Sequence, residues 1–226
     1  MGTKALGFGV ISWAFWAPGK KQSRPDISFV PSLLRRRLSI LSAGAMHVAN
    51  TALQDERDIP VVFASRHGEL GRTAAILEAL AACEAPSPTA FSLSVHNTAA
   101  GLLSIVRNER APATAVAAGP LTLAMGLLET VSVAASARGK ALLVFAEEAP
   151  PPTYADVVHQ DTVALAALVD VSHDRFRIKA CAGDGGGDKP AEQAYALAAL
   201  LNAEAGDVRL GDAHRAWQVQ ACAAAH

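Results

Sequence analysis

The chain has 226 residues, with 20 Lys or Arg and 21 Asp or Glu, so its formal net charge is −1 at pH 7. A chain of this length buries about 70% of its unfolded surface on folding, enough for one domain with a substantial core. The balanced charge does not favour nucleic acid or an anionic membrane as a partner. Cys83, Cys181 and Cys222 are too far apart for metal-ligand spacing. They form no disulfide framework, and with no evident secretory signal we expect a cytoplasmic protein.

Apolar residues in the first 100 positions alternate between strand-like and helix-like spacing. In the stretch 32–53 they return every three or four residues, and Ser32 is placed to cap a helix there. Arg35, Arg36 and Arg37 would lie near the start of this helix, where the dipole disfavours cations. They therefore indicate a neighbouring carboxylate, a partner surface or a solvated patch. The predicted elements are strands over 5–15 and 61–65, a brief extended segment over 91–95 and helices over 32–53 and 70–84.

The most informative stretch lies between residues 113 and 146. It predicts a buried strand over 113–118, a sharp turn at Gly119-Pro120, an apolar helix over 120–138 and a buried strand over 141–146. Proline suits a first helical turn because the N–H that it lacks has no helical partner there. Strand, helix and strand form a β-α-β unit, so we expect an at least partly parallel sheet. Glu129 and interrupting Gly and Pro residues favour this interpretation over membrane insertion.

The C-terminal third has a different pattern of predicted elements. The predicted elements are strands over 162–171, 176–180 and 215–221, a flexible glycine-rich loop over 183–188 and a helix over 190–203.

Two short polar segments carry histidine. Ser65-Arg66-His67-Gly68-Glu69 follows a predicted strand, and Ser94-Val95-His96-Asn97 precedes a predicted helix that Asn97 can cap. Strand ends are common ligand sites in α/β proteins. The segments could supply a Ser–His nucleophile pair, or only structural hydrogen bonds. The candidate polar site comprises Ser65, His67, Glu69, Ser94, His96 and Asn97.

Common cofactor and catalytic signatures are missing from the sequence. It has no phosphate-binding Gly-Lys-Ser/Thr loop, no dinucleotide glycine fingerprint and no Gly-x-Ser-x-Gly elbow. His and acidic residues do not cluster at metal-ligand spacing. We therefore expect no cofactor and no metal.

Several motifs resemble one enzyme family. The opening Leu6-Gly-Phe-Gly-Val-Ile-Ser12 looks like a first strand of β-ketoacyl synthases, and residues 91–105 match their Asn-x-x-Ala-Gly-x-x-Ser-Ile helix. From Ser32 to Glu148 the chain resembles the N-terminal half of these enzymes. The combination is most similar to short chain-length-factor-like subunits of aryl polyene and related pigment pathways. The motifs that carry this closer resemblance are residues 65–70, 87–97 and 126–129 and the pair Glu147-Glu148.

The resemblance puts Pro120 at the position of the family's nucleophilic cysteine. This register places Thr114-Ala115-Val116 on the preceding strand and Glu129 on the usual acid of the helix. Proline has no nucleophile, and the sequence has no cysteine between Cys83 and Cys181. The two catalytic histidines of the family's C-terminal half have no counterpart either. The resemblance therefore implies a subunit without catalytic residues of its own.

The expected fold is α/β and thiolase-like in truncated form, with a mixed sheet and a central buried helix. We expect one domain over residues 1–226, with a matched core over 1–148 and divergent strands and helix over 149–226. In two-chain ketosynthases the strand before the nucleophile pairs across the dimer. The implied partner interface is Ala113, Thr114, Ala115, Val116, Ala117 and Ala118.

The resemblance implies a non-catalytic subunit that pairs with a full-length β-ketoacyl-ACP synthase in polyene or fatty-acid-like biosynthesis. An acyl carrier protein is a further implied partner. One alternative is a small acyl-thioester transferase or hydrolase that uses Ser65 or Ser94 with His67 or His96. Another is a stand-alone module that binds an acyl group or a carrier protein.

Overall fold

The computed structural model of the chain describes residues 5–19, 24–137, 139–183 and 189–222. It shows a mixed α/β fold in which helices cover both faces of one eight-stranded sheet, as the sequence predicts. The strands are β1 (Leu6–Trp16), β2 (Val61–Ala64), β3 (Ala113–Val116), β4 (Lys140–Glu147), β5 (Val163–Asp170), β6 (Phe176–Ala182), β7 (Asp207–Gly211) and β8 (Arg215–Ala221). The helices are α1 (Ser32–Arg35), α2 (Ile40–Leu53), α3 (Leu70–Ala81), α4 (Pro88–Ser92), α5 (Thr98–Arg107), α6 (Thr122–Ser136) and α7 (Pro190–Ala203).

The strand order is β3-β2-β4-β5-β1-β6-β8-β7. Strand β2 is parallel to both β3 and β4, whereas every other pair is antiparallel. The parallel arrangement of β3 and β4, joined through α6, confirms the predicted β-α-β unit. Strand β1 pairs with β5 along most of its length and with β6 through Leu6–Phe8, and its register shifts between Val10 and Ser12.

Two apolar cores lie on the two faces of the sheet. One contains buried residues of α6 and α7, and the other contains buried residues of α2 and α5. The run 119–136 is long and apolar enough to cross a membrane by length and composition alone. However, one face of α6, including Leu123, Leu127 and Val131, is buried in the first core. The apolar run therefore supplies a helix of the folded core.

The single long helix predicted over 32–53 is wrong, because the chain forms two helices there. The side chain of Ser39 accepts the backbone N–H of Ser42 and caps α2, so the chain leaves the helical path after Arg35. Pro31, and not Ser32, is the N-cap of α1. Arg35 is thus the last residue of a short helix and Arg36 is its C-cap, and the helix dipole favours cations at this end.

The extended segment predicted over 91–95 is also wrong, because residues 88–92 form α4. Ser87 accepts the backbone N–H of Ala90, and Pro88 occupies the first turn. These are ordinary helix-start signals that outweigh the β propensity of Phe91. Asn97 does lie at the N-cap position of α5, but its side chain makes no capping hydrogen bond.

Strand β3 is exposed and lies at the sheet edge, which corrects the prediction of a buried strand. It also ends at Val116, two residues earlier than predicted. Its apolar character comes mostly from alanine, which does not require burial as larger apolar side chains do. Strand β7 was not predicted, and it forms the opposite edge of the sheet. The end of the predicted helix at Arg138, and residues 184–188 of the predicted loop, lie outside the described residues.

Candidate functional site

The two histidine segments meet at the carboxyl ends of β2 and β4. The parallel register pairs Ala64 with Phe145, so the turn after β2 lies beside the end of β4. Glu147, which is 0% exposed, accepts the backbone N–H of Arg66 at 2.5 Å and the hydroxyl of Ser65 at 3.3 Å. The backbone N–H of His67 donates to the same carboxylate. A buried carboxylate therefore organises the turn.

Ser65 closes this turn from inside. Its hydroxyl oxygen accepts the backbone N–H of Gly68 at 2.9 Å while its proton is donated to Glu147. Gly68 has a φ of +60°, a backbone conformation that favours glycine. A Cβ added at Gly68 would lie 3.0 Å from Cδ2 of His96. Both the positive φ and the closeness of His96 therefore favour glycine at position 68.

His96 holds the second segment against the first. Its Nε2 lies 2.7 Å from the carbonyl oxygen of Ser65. Because a carbonyl can only accept, Nε2 carries the proton and donates. The His96 ring also packs edge-on against Phe63, with ring centroids 5.7 Å apart. His96 therefore makes structural contacts that join the approach to α5 with β2.

Two further carboxylates lie beside Glu147. Glu69 accepts the hydroxyls of Ser39 and Ser42 at 2.8 and 2.5 Å, and Nε of Arg72 at 2.8 Å. Glu148 accepts the backbone N–H of Gly71 at 2.8 Å. Each carboxylate thus accepts hydrogen bonds from O–H or N–H groups of the protein. Within the described residues, no group of three His, Cys, Asp or Glu side chains is arranged to hold a metal.

Burial governs the ionisation of this cluster. It raises the pKa of Glu147 to about 7, although the N–H of Arg66 and the hydroxyl of Ser65 oppose the shift. Burial also raises the pKa of Glu148, against the hydrogen bond from Gly71. In the sequence, Glu147 and Glu148 stand out only as part of a motif. The signal that could have assigned them to the site is the presence of two acidic residues directly after an apolar strand.

In the part of the chain that the structure describes, the hydroxyls of Ser65 and Ser94 donate to groups other than a histidine. The single proton of Ser65 is donated to Glu147, and that of Ser94 to the carbonyl of Phe91 at 2.8 Å. Neither hydroxyl can therefore pass its proton to a histidine in this arrangement. Ser65 is also completely buried, so its oxygen is closed to a substrate. The geometry assigns these serines to structural hydrogen bonds.

Pro120 lies in a single 3₁₀ turn, Gly119–Leu121, at the head of α6. The N–H groups of Leu121 and Thr122 are already bonded to the carbonyls of Ala118 and Gly119. The Thr122 hydroxyl contacts Ala118 N and Gly119 O and closes the turn. Gly119 has a φ of +57°. The head of α6 therefore presents neither a nucleophile nor a free N–H from these two residues.

Gln193 of α7 fixes the same turn from the other side. Its side-chain amide donates to the carbonyls of Pro120 at 3.1 Å and Gly211 at 3.0 Å. It is 6% exposed. No local sequence pattern points to Gln193, because its contacts are 73 and 18 positions away. One amide thus connects the turn at Pro120 with the far edge strand of the sheet.

The other edge of the sheet is exposed. Among the described strands, β3 pairs with β2 alone. Val61 donates to Pro112 and Ser65 donates to Val116, so the backbone groups of the alternate residues Ala113 and Ala115 point away from β2. Large apolar side chains are exposed on the preceding helical segments, with Phe91 at 64% and Ile105 at 70%. We call the outward edge of β3 at Ala113 and Ala115 the β3 surface.

A family model for the β-ketoacyl synthase N-terminal domain matches residues 13–224. The chain belongs to this family. The fold is thus that of a ketosynthase-type, thiolase-like protein, as the resemblance implied. None of the curated proteins matches the chain.

Solved structures of ketosynthases resemble the chain. The complex of a ketosynthase (ApeO) with its chain length factor (ApeC) from Xenorhabdus doucetiae matches with a TM-score of 0.83 and 25% identity, over 95% of this chain and 99% of the matched chain. The ishigamide ketosynthase/chain length factor matches with a TM-score of 0.61 and 14% identity, over 78% and 67%. A β-ketoacyl synthase from Burkholderia phymatum STM815 matches with a TM-score of 0.58 and 13% identity, over 75% and 53%.

Proposed function

We propose that this chain is a non-catalytic, chain-length-factor-like subunit that pairs with an active β-ketoacyl-ACP synthase in polyene or fatty-acid-like biosynthesis. The pair then acts on acyl groups carried by an acyl carrier protein, which is a further partner. The observation that carries the proposal is Pro120 at the head of α6.

A ketosynthase nucleophile at the head of a helix depends on a thiolate whose pKa the helix dipole lowers. Here the turn at Pro120 is intact and is fixed by Thr122 and Gln193, but it has no thiol. The scaffold around this position therefore supports a role in assembly more than a role in condensation.

The β3 surface supports pairing with another chain. An exposed edge strand has backbone N–H and C=O groups that can join a second sheet. Exposed Phe91 and Ile105 add apolar area of a kind that protein interfaces bury. The strand is the one that the resemblance placed at the dimer interface. We propose that the partner's corresponding strand pairs here.

The likeness to the ApeO–ApeC complex supports the same function. The match covers 95% of this chain and 99% of the other, so the two chains have almost the same length. The Burkholderia phymatum synthase is covered over only 53% of its length. A short chain of ketosynthase fold within a complex is the arrangement that we propose for this protein.

Co-expression with a full-length ketosynthase of the same organism tests the proposal. We expect a stable pair on size-exclusion chromatography, and a change in product chain length when the subunit is present in a reconstituted assay. Replacement of the partner's nucleophilic cysteine should abolish condensation, whereas replacement of Cys83, Cys181 and Cys222 by Ser in this chain should not. A stable monomer that never alters product length would contradict the proposal, and so would thioester turnover by this chain alone.

A further inference from the structure

The sequence concentrates positive charge in one segment. Residues 20–37 contain six of the 20 Lys and Arg residues and one acid, Asp26, which gives this segment a formal charge of +5. The whole chain has a formal charge of −1, so the remainder is acidic. Such a segregation attracts anions to one part of the surface.

Part of this segment lines a cavity of about 650 Å³ between the loop before α1 and the start of α2. Arg24, Arg35 and Arg36 contribute three guanidinium groups to its lining. Ile27, Leu38 and Ile40 contribute apolar walls. The volume is in the range of small-molecule sites, which combine apolar walls with a few polar groups. The cavity thus fits a ligand with both an anionic and an apolar part.

The three arginines form no direct ion pair in the described part of the chain, although Asp26 is near enough to Arg35 for charge attraction. Among the described residues, none of them lies within ion-pair distance of an Asp or Glu. The side chain of Asp26 accepts the backbone N–H of Ser28, and Glu69 is paired with Arg72. Arg35 uses Nε to bind the carbonyl of Val30, which leaves its other guanidinium donors for a ligand. The three guanidinium groups around the cavity repel each other. A bound anion would offset this repulsion.

We propose that this cavity binds a phosphate group carried on an apolar chain. A phosphate ester carries a charge of about −1.5 to −2 at pH 7, which matches a cluster of guanidinium groups better than a single carboxylate does. Arginine binds phosphate oxygens through two parallel N–H donors. The apolar chain would lie against Ile27, Leu38 and Ile40. The site does not depend on the proposed pairing, because one chain forms it.

Calorimetric titration of the full chain with decyl phosphate tests the proposal, with inorganic phosphate and decanol as matched probes. We expect saturable binding of decyl phosphate at physiological salt, and much weaker binding of either probe that lacks one half of the ligand. Arg24→Gln and Arg36→Gln should each weaken decyl phosphate binding about tenfold or more. Arg37→Gln is the matched control, since Arg37 carries the same charge beside Arg36 but does not line the cavity.

Two results would overturn the proposal. One is no saturable binding of decyl phosphate by a chain that circular dichroism shows to be folded. The other is an equal loss of binding in all three variants, which would show that surface charge alone attracts the ligand. Vesicles of phosphatidylcholine with and without phosphatidic acid distinguish the source of the phosphate. If the chain binds phosphatidic acid vesicles but not free decyl phosphate, it recognises an anionic membrane surface and the cavity is not a phosphate site.

Discussion

Oε1 of Glu147 accepts the backbone N–H of Arg66 at 2.5 Å, although the two residues are 81 positions apart in the chain. This hydrogen bond joins the end of β4 to the turn after β2. The turn in turn holds His96 through the carbonyl of Ser65. The polar cluster around Glu147 therefore holds together β2, β4 and the start of α5, the helix that precedes the exposed edge strand β3.

The stability of the chain should depend on pH through Glu147. The pKa of this carboxyl is about 7 in the fold, against 4.5 for an unperturbed glutamate. Between these values the folded state binds the proton more tightly, so the free energy of unfolding should rise as pH falls from 8 to 5. One pKa unit corresponds to 1.36 kcal/mol, so the gain is at most about 3 kcal/mol, complete below the unfolded pKa and lost through pH 7.

Denaturant unfolding at several pH values measures this effect, with Glu147→Gln as the control. The amide has the shape of the protonated acid and cannot ionise, so its profile should be flatter than that of the wild type. Parallel profiles for the two proteins between pH 5 and 8 would show that Glu147 does not titrate in this range.

Ser65→Ala and Ser94→Ala should differ in their effect on stability. Loss of the Ser65 hydroxyl leaves the N–H of Gly68 and an oxygen of Glu147 short of a buried partner, which should cost about 1–3 kcal/mol. The Ser94 hydroxyl bonds a nearby carbonyl at the surface, so its loss should change stability by less than about 0.5 kcal/mol. Chemical denaturation measures the change in the free energy of unfolding for each variant. Equal changes would contradict the assignment of Ser65 to the polar cluster around Glu147.

Two glycines in helices should respond to alanine with opposite signs. At Gly126 of α6 an added Cβ would lie 2.6 Å from Cβ of Ala64, so Gly126→Ala should destabilise the chain by about 1–3 kcal/mol. At Gly101 of α5 no atom lies within 4 Å of the added Cβ. Gly101→Ala should therefore stabilise the isolated chain by up to about 1 kcal/mol through helix propensity. Thermal unfolding of both variants reports the sign, and destabilisation by Gly101→Ala would mean that α5 packs more closely than the structure shows.

Pairing through β3 should depend on the outward N–H of Ala115. Ala115→Pro removes this donor without removing a hydrogen bond to β2, and proline is tolerated on edge strands. We expect the variant to remain folded and to lose most of its co-purification with the ketosynthase. Ala115→Ser keeps the N–H and a small side chain, so it should co-purify like the wild type. Retention of full pairing by Ala115→Pro would place the interface elsewhere.

Local signals in the sequence predicted most of the fold. The apolar strands and the periodic helices were found because burial imposes a pattern on neighbouring residues. The break at Ser39 and the helix at Pro88 were missed where a capping serine competed with a longer pattern. The exposure of β3 could not be predicted, since an alanine-rich strand satisfies both a buried and an edge position.

The candidate site was predicted only in part. The sequence placed Ser65 and His96 at the ends of local elements, and they do meet. It could not predict that Glu147 would accept a hydrogen bond from the Ser65 hydroxyl or that Gln193 would donate one to the carbonyl of Pro120, because these contacts join elements that are far apart in the chain. The position of Pro120 came from the family resemblance and not from periodicity.

Strand β1 has a consequence for the order in which the protein can be made. It is the first of the described strands in chain order, yet both of its neighbours in the sheet, β5 and β6, begin more than 140 residues later. Contacts of such long range form slowly, and unpaired strand edges are prone to aggregate. A nascent chain that stops after β4 would leave both edges of β1 unpaired. Strand β1 can therefore form its native hydrogen bonds to neighbouring strands only after β5 and β6 have been synthesised.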